Sequence, residues 1–230
     1  MLTFQLLSNL DVELGNMKYK FRKRCHVITI FMVVVFIPNI LYADFEEKLP
    51  SKCKSDCVSP YGKVTGVSKR GIKAYSNCNS KCVIYEPNKL NGTYTGIKWQ
   101  CVEYARRWLL ANRNAVYGDV DIASDIWGEI NHLTDVSTNK KILLKSYLNG
   151  SYTPPKIGDL LIYAKAFNGT GHVAVIVDVD YKNNYIYIAE QNYSNKLWTK
   201  NYSRKINLIN KDGKYWLLDS YLLGWKHITN

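Results

Sequence analysis

Apolar and polar positions divide the chain into stretches of different period. Near the N-terminus an apolar run extends from Val27 to Leu41, interrupted near its end by Pro38 and Asn39. Lys18, Lys20, Arg22, Lys23 and Arg24 precede it, and Tyr42-Ala43 and the polar Asp44-Phe45-Glu46-Glu47 follow. A basic region, a short apolar stretch and a small residue predict a secretory signal peptide over 1–43, cleaved after Ala43. The run falls short of the roughly 20 residues a transmembrane helix needs, so no membrane span is expected after cleavage; a retained anchor is the alternative. Met17, directly before the basic cluster, offers a second start.

Further along, after a loop that ends at Gly96, Val102, Ala105, Trp108 and Leu109 recur at helical spacing and predict an amphipathic helix beginning near Cys101. Glu103 stands three residues before Arg106 and four before Arg107, positions that pair along a helix. Another helical stretch is read from Asp121 to Ile130. A glycine turn ending at Gly171 then delivers His172 to the first position of a nearly continuous apolar strand ending at Val179. Asp180–Asn184 reads as a hairpin loop and Tyr185–Ala189 as the returning strand. Trp225 is expected to pack the closing segment onto the core.

Composition adds limits. With 230 residues, 47% hydrophobic and 22% charged, the chain suits one domain plus an appendage and excludes disorder and collagen. Its 31 Lys+Arg against 19 Asp+Glu give +12. The first 43 residues carry five bases against Asp11 and Glu13, so the exported chain keeps 187 residues and a charge of +9. Such a chain is attracted to anionic polymers or surfaces. The bases are scattered and no nucleic-acid-binding motif occurs, so no nucleic acid is expected as a partner.

Cys25 leaves with the signal. Of the remaining five cysteines, Cys53 and Cys57 form one pair with three residues between them, and Cys78 and Cys82 form another. In an exported chain these are disulfide candidates, with three connectivities open. Local pairing would staple two turns, and cross-pairing would zip two helical turns together. A four-thiolate zinc site competes, but such sites favour closer knuckles and an intracellular setting. By parity Cys101 is left over. The positive end of a helix and its unpaired N–H groups stabilise a thiolate there and can donate to an oxyanion. A buried, inert thiol is the plainer alternative.

A nucleophilic thiol needs a base. His172, at a strand mouth, is the best placed. His132, in a polar stretch without a rigid neighbour, and His227, near the C-terminus, are expected to be surface or hydrogen-bonded core histidines. In an antiparallel hairpin the end of the second strand returns to the start of the first, which brings Glu190 and Asn192 back toward His172. The two-residue alternation puts both on one face, and either could accept from the ring N–H.

The stretches Trp99-Gln100-Cys101-Val-Glu-Tyr-Ala-Arg-Arg, Gly158-Asp-Leu-Leu-Ile-Tyr163, Gly171-His172-Val-Ala and Ile188-Ala-Glu190-Gln-Asn192 resemble the CHAP family of cysteine, histidine-dependent amidohydrolases/peptidases. The likeness is greatest to the amidase domain of glutathionylspermidine and trypanothione synthetase/amidases and to secreted endopeptidase-like proteins. It implies an α+β, papain-like fold with the nucleophile helix packed on an antiparallel sheet. It also implies Cys101 as nucleophile, His172 as general base and acid, and Glu190 as the group that orients it. Gln100 precedes the nucleophile as in the relatives, with oxyanion stabilisation coming mainly from backbone N–H groups. Arg106 matches a residue that relatives place near the substrate, or serves as a helix-surface salt-bridge partner.

The expected layout is a signal peptide at 1–43, a Cys-rich extension at 44–90 and a CHAP domain at 91–230. No synthetase domain is expected to follow, and the Cys53 to Cys82 segment and the export signal have no expected counterpart in the cytosolic amidase. The resemblance then implies a secreted or periplasmic cysteine amidohydrolase/endopeptidase acting on peptidoglycan peptides through a thioester. An amidase of glutathionylspermidine-type conjugates and a non-catalytic wall-binding or host-interaction module are the alternatives. No cofactor or metal is expected, and the sequence leaves the oligomeric state open.

Overall fold

Strands dominate the described chain because apolar residues alternate with polar ones, or run continuously, over most of its length after residue 114. The computed structural model describes residues 48–229. The signal-peptide stretch, Met17, Cys25 and His26 lie outside the described residues. In chain order, β1 (Val64–Val67) and β2 (Lys73–Tyr75) form a hairpin, and β3 (Pro87–Leu90) and β4 (Thr93–Ile97) form a second. Helix α1 (Cys101–Arg113) follows, then β5 (Ala115–Val116), a 3-10 turn at Ala123–Asp125 and the one-turn helix α2 (Ile126–Glu129). The remaining strands are β6 (His132–Asp135), β7 (Lys141–Leu148), β8 (Leu160–Tyr163), β9 (His172–Asp180), β10 (Tyr185–Ala189), β11 (Arg204–Lys211), β12 (Lys214–Leu217) and β13 (Leu222–Ile228).

β5 to β13 make a single sheet in the order β12-β11-β10-β9-β8-β13-β7-β6-β5, every neighbouring pair antiparallel. The hairpin of β9 and β10 runs as its pattern predicts, with Tyr185 opposite Asp180 and Ala189 opposite Val175. β9 is apolar without alternation because both its faces are buried. On one face Val173, Val175 and Val177 share a core with Tyr104, Ala105, Trp108 and Leu109 of α1. On the other, Ala174 and Ile176 join Leu161, Ile186, Ile188 and Trp225. Trp225 is fully buried on β13, which slots between β8 and β7, so the closing segment packs onto the core as expected.

Helix α1 begins after Gln100, whose backbone is extended, and ends at Asn114 in the left-handed region, whose N–H reaches the Leu110 carbonyl. The helix read from Asp121 to Ile130 is shorter than expected. Ile122 and Ile130 are both extended, leaving only the 3-10 turn and the single turn of α2 between them.

The Cys-rich stretch has its own small core of Leu49, Cys53, Tyr61, Cys78 and Cys82, with Trp99 packed against it. From Leu49 onward it belongs to the same compact unit as the sheet. The cysteines are cross-paired, Cys53 with Cys82 and Cys57 with Cys78. The sulfurs are thereby consumed, which removes the zinc alternative. Only Cys53 lies in a helical turn, the 3-10 turn Ser51–Cys53. Among the described residues no helix is long and apolar enough to cross a membrane.

Candidate active site

Cys101 is the first residue of α1, and it is the free cysteine of the described residues. Its side chain points into the core shared with β9 and is 9% exposed. His172 opens β9 opposite Tyr163 of β8 and is 1% exposed. The turn before it depends on Gly171, which has φ 71°; a Cβ there would lie 2.6 Å from the Tyr163 carbonyl oxygen. Glu190 follows the last residue of β10, and its Oε2 lies 2.9 Å from His172 Nε2. With Nε2 so engaged, Nδ1 is the ring nitrogen left for the Cys101 thiol, and each of the two side chains shifts the pKa of the other.

This series sets the charges. Burial alone would raise the Cys101 thiol, but the hydrogen bond and charge of His172, with the N–H groups of Val173 and Val102, hold it below its ordinary value. Burial would lower His172, yet the hydrogen bonds and charges of Cys101 and Glu190 raise it from 6.5 to about 9. Burial would likewise raise Glu190, and His172 and Arg204 bring it down from 4.5 to about 2. Each shift thus favours the charged form of its group, thiolate on Cys101, imidazolium on His172 and carboxylate on Glu190.

The sequence did not point to the groups behind Glu190. Its Oε1 accepts from Ser203 Oγ (2.9 Å) and Arg204 Nε (2.6 Å), and its Oε2 accepts from Arg204 Nη2 (3.1 Å). Arg204 also donates to Asp219 (2.8 Å) and to the Tyr163 hydroxyl (3.1 Å). Tyr163, Phe167 and Tyr193 surround the imidazole, with ring centroids 5.3–5.8 Å from it. A signal for Arg204 existed: along β11 it shares the face of the buried Ile206 and Leu208, an unusual place for a base.

The other candidates divide. Gln100 stands at the mouth of α1, its Oε1 accepting from Asn192 Nδ2 (2.5 Å) and its Nε2 donating to the Cys82 carbonyl (3.3 Å). Asn192 makes this bond instead of one to His172. The alternation fails because β10 ends at Ala189 and Asn192 takes a left-handed φ of 57°. Arg106 is buried, not a helix-surface residue, donating to the Thr95 and Gly118 carbonyls and pairing with Asp119 at 3.0 Å. Glu103 pairs with Arg107 (2.7 Å), not with Arg106, and its carboxylate also takes Asn88, Thr95 and Gln191. His132 lies on β6 and contacts Asn131, so it does have a rigid strand for support. His227 on β13 faces Asp159 at 2.7 Å. A cavity of about 740 Å³ lies at the opposite end of α1, lined in part by Leu110, Arg113 and Val136, and includes none of Cys101, His172 and Glu190.

Residues 92–192, which carry this Cys-His-Glu series, match the family model described as CHAP domain. This stretch of the chain carries a CHAP domain. Trypanothione synthetase of Crithidia fasciculata is 33% identical over 174 residues, covering 75% of this chain and 26% of that protein. The bifunctional glutathionylspermidine synthetase/amidase of Escherichia coli (strain K12) is 34% identical over 182 residues, covering 73% and 29%. The chain thus spans about a quarter of the length of the curated relatives it matches. Coverage of 75% exceeds what positions 91–230 can supply. The likeness to trypanothione synthetase therefore reaches into the stretch before residue 91. Among solved structures, that of Ly7917 overlaps 56% of this chain at 20% identity and a TM-score of 0.31, too slight to define the fold.

Proposed function

We propose that this CHAP chain is an exported cysteine amidase with a papain-like arrangement, and that it cleaves an amide bond of peptidoglycan peptides. The observation that carries the chemistry is the buried series Cys101, His172, Glu190, with the thiol lowered and the imidazole raised. The Cys101 thiolate attacks the amide carbonyl and forms a C–S bond. The resulting oxyanion meets N–H groups at the start of α1, which have no acceptor within the helix, and the Gln100 amide. As the C–N bond breaks, the His172 imidazolium gives its proton to the leaving amine. His172, now neutral, takes a proton from water, whose oxygen attacks the thioester. Collapse releases the carboxylic acid and restores the thiolate and imidazolium. Glu190 stays ionised throughout and holds the ring by Nε2.

Export and the wall substrate are favoured by the two disulfides and by the basic charge of the chain beyond residue 43. A second reading, hydrolysis of glutathionylspermidine-type conjugates, is favoured by the 34% identity to a relative named glutathionylspermidine synthetase/amidase. Mass spectrometry of products from purified sacculi, glutathionylspermidine and a casein control distinguishes them. New amine and carboxylate ends from sacculi alone support the wall reading, and spermidine release alone supports the second. No product from any of the three leaves a non-catalytic binding module.

A further inference from the structure

Outside the Cys-His-Glu series, four polar groups close a hydrogen-bonded ring against the mouth of α1. Asn77, fully buried, donates from Nδ2 to Asn192 Oδ1 (2.7 Å) and to the Cys82 carbonyl (3.2 Å). Asn192 donates from its own Nδ2 to Gln100 Oε1 (2.5 Å), and Gln100 donates from Nε2 back to the Cys82 carbonyl (3.3 Å). Each amide has one acceptor and two donors, so the direction of the first dictates the rest. With Asn77 donating, Asn192 must turn its oxygen toward Asn77 and its NH₂ toward Gln100. Gln100 then holds its oxygen inward. One of its two N–H bonds goes to Cys82, and the other remains at the residue that precedes the nucleophile.

The origin of the ring is anchored by the disulfides. Asn77 precedes Cys78, which is bonded to Cys57, and the shared acceptor belongs to Cys82, which is bonded to Cys53. The same lobe grips the loop after β10 at three more points. Asn77 N–H donates to Asn195 Oδ1 (3.1 Å), Tyr75 N–H to Gln191 Oε1 (2.8 Å), and Trp198 N–H to the Thr65 carbonyl (2.7 Å). Asn77 Oδ1 is itself buried without a partner. Such an atom is costly to keep, so stability alone gives little reason for an amide there.

We propose that Asn77 is a positioning residue. Acting through Asn192, it fixes the Gln100 amide so that its free N–H faces the oxyanion formed on attack by Cys101, and the two disulfides hold Asn77 in place. This rests on the amidase reading. It makes the disulfide lobe part of the machinery that turns over substrate, although no atom of the lobe takes part in the chemistry.

The test uses the full exported chain with Asn77→Asp and Asn77→Ala. Asp keeps the shape but presents acceptors where Asn presents donors, which forces the Asn192 amide to turn; Ala removes the group. Three quantities are measured: kcat and KM on whichever of sacculi or glutathionylspermidine the native chain cleaves, the rate of Cys101 alkylation by iodoacetamide, and the thermal midpoint. Loss of a whole oxyanion donor costs about 10²–10³ in kcat, so a displaced donor is expected to cost about tenfold or more. KM and the alkylation rate should stay within about twofold, because alkylation of a thiolate builds no oxyanion. Unchanged kcat in a folded variant overturns the proposal. So does a parallel fall of kcat, alkylation and thermal midpoint, or failure of both variants to fold, since each assigns Asn77 a structural role only. Absence of turnover by the native chain overturns the amidase reading and this role with it, whereas native turnover with indifferent Asn77 variants overturns this role alone.

Discussion

Replacing Glu190 by Gln removes one charge and almost no volume, so it isolates what the carboxylate does for the imidazole. Glu190 accepts from four donor atoms, on His172, Ser203 and Arg204, and donates to none. A glutamine there must turn its NH₂ toward one of those donors and lose that bond. Arg204 would keep Asp219 and the Tyr163 hydroxyl, so its charge is not stranded and the fold should survive. The rise of His172 from 6.5 to about 9 corresponds to a preference for imidazolium of about 3 kcal/mol. Cys101 and Glu190 supply it together. If the carboxylate contributes on the order of half, its loss costs about 1.5 kcal/mol, roughly tenfold in the equilibrium constant between the thiolate–imidazolium and thiol–imidazole forms. Alkylation of Cys101 by iodoacetamide, followed by peptide mass, should slow near pH 7, where an ordinary thiol is largely protonated, by up to about tenfold. The alkaline limb of amide turnover, set by loss of the His172 proton that the leaving amine needs, should move down from about 9. A folded Glu190→Gln protein with the native alkylation rate and the native alkaline limb would refute the role assigned to Glu190.

Three other outcomes follow from the same structure. Glu103→Ala leaves the Arg107 guanidinium buried without its carboxylate and should cost about 3–5 kcal/mol in denaturant melts; a loss below about 1 kcal/mol would contradict the buried network. A Cβ on Gly66 would lie 2.1 Å from the Trp198 ring, so Gly66→Ala should cost about 1–3 kcal/mol and shift the tryptophan emission. An unshifted spectrum at native stability would show that Trp198 is not seated there. Glu190, lowered from 4.5 to about 2 in the folded chain, stabilises fully above about pH 4.5 and less as pH falls toward 2. The loss across that window should be about 3 kcal/mol, and Glu190→Gln should lack that part of the acid slope.

What the sequence made legible was local. Cys101 at a helix start follows from the 3.6-residue spacing of Val102, Ala105, Trp108 and Leu109. The return of Glu190 to His172 follows from one hairpin with a short loop. The insertion of β13 between β8 and β7 could not be read, because it is decided by packing between segments far apart in sequence. The contact of Arg204 with Glu190 was missed although the alternation of β11 carried a clue. Asn192 was misplaced because a two-residue period was carried past the end of its strand. The ring from Asn77 through Asn192 to Gln100 joins three loops, and no periodicity reports on it.

The proposed chemistry stands or falls with the Cys101 sulfur as the nucleophile of an amide hydrolysis. Its most direct test is the turnover of Cys101→Ala on whichever of sacculi or glutathionylspermidine the native chain cleaves, with the thermal midpoint measured on the same sample. The expected result is a folded protein whose kcat falls by about 10³-fold or more. A folded Cys101→Ala protein that retains native turnover would contradict it.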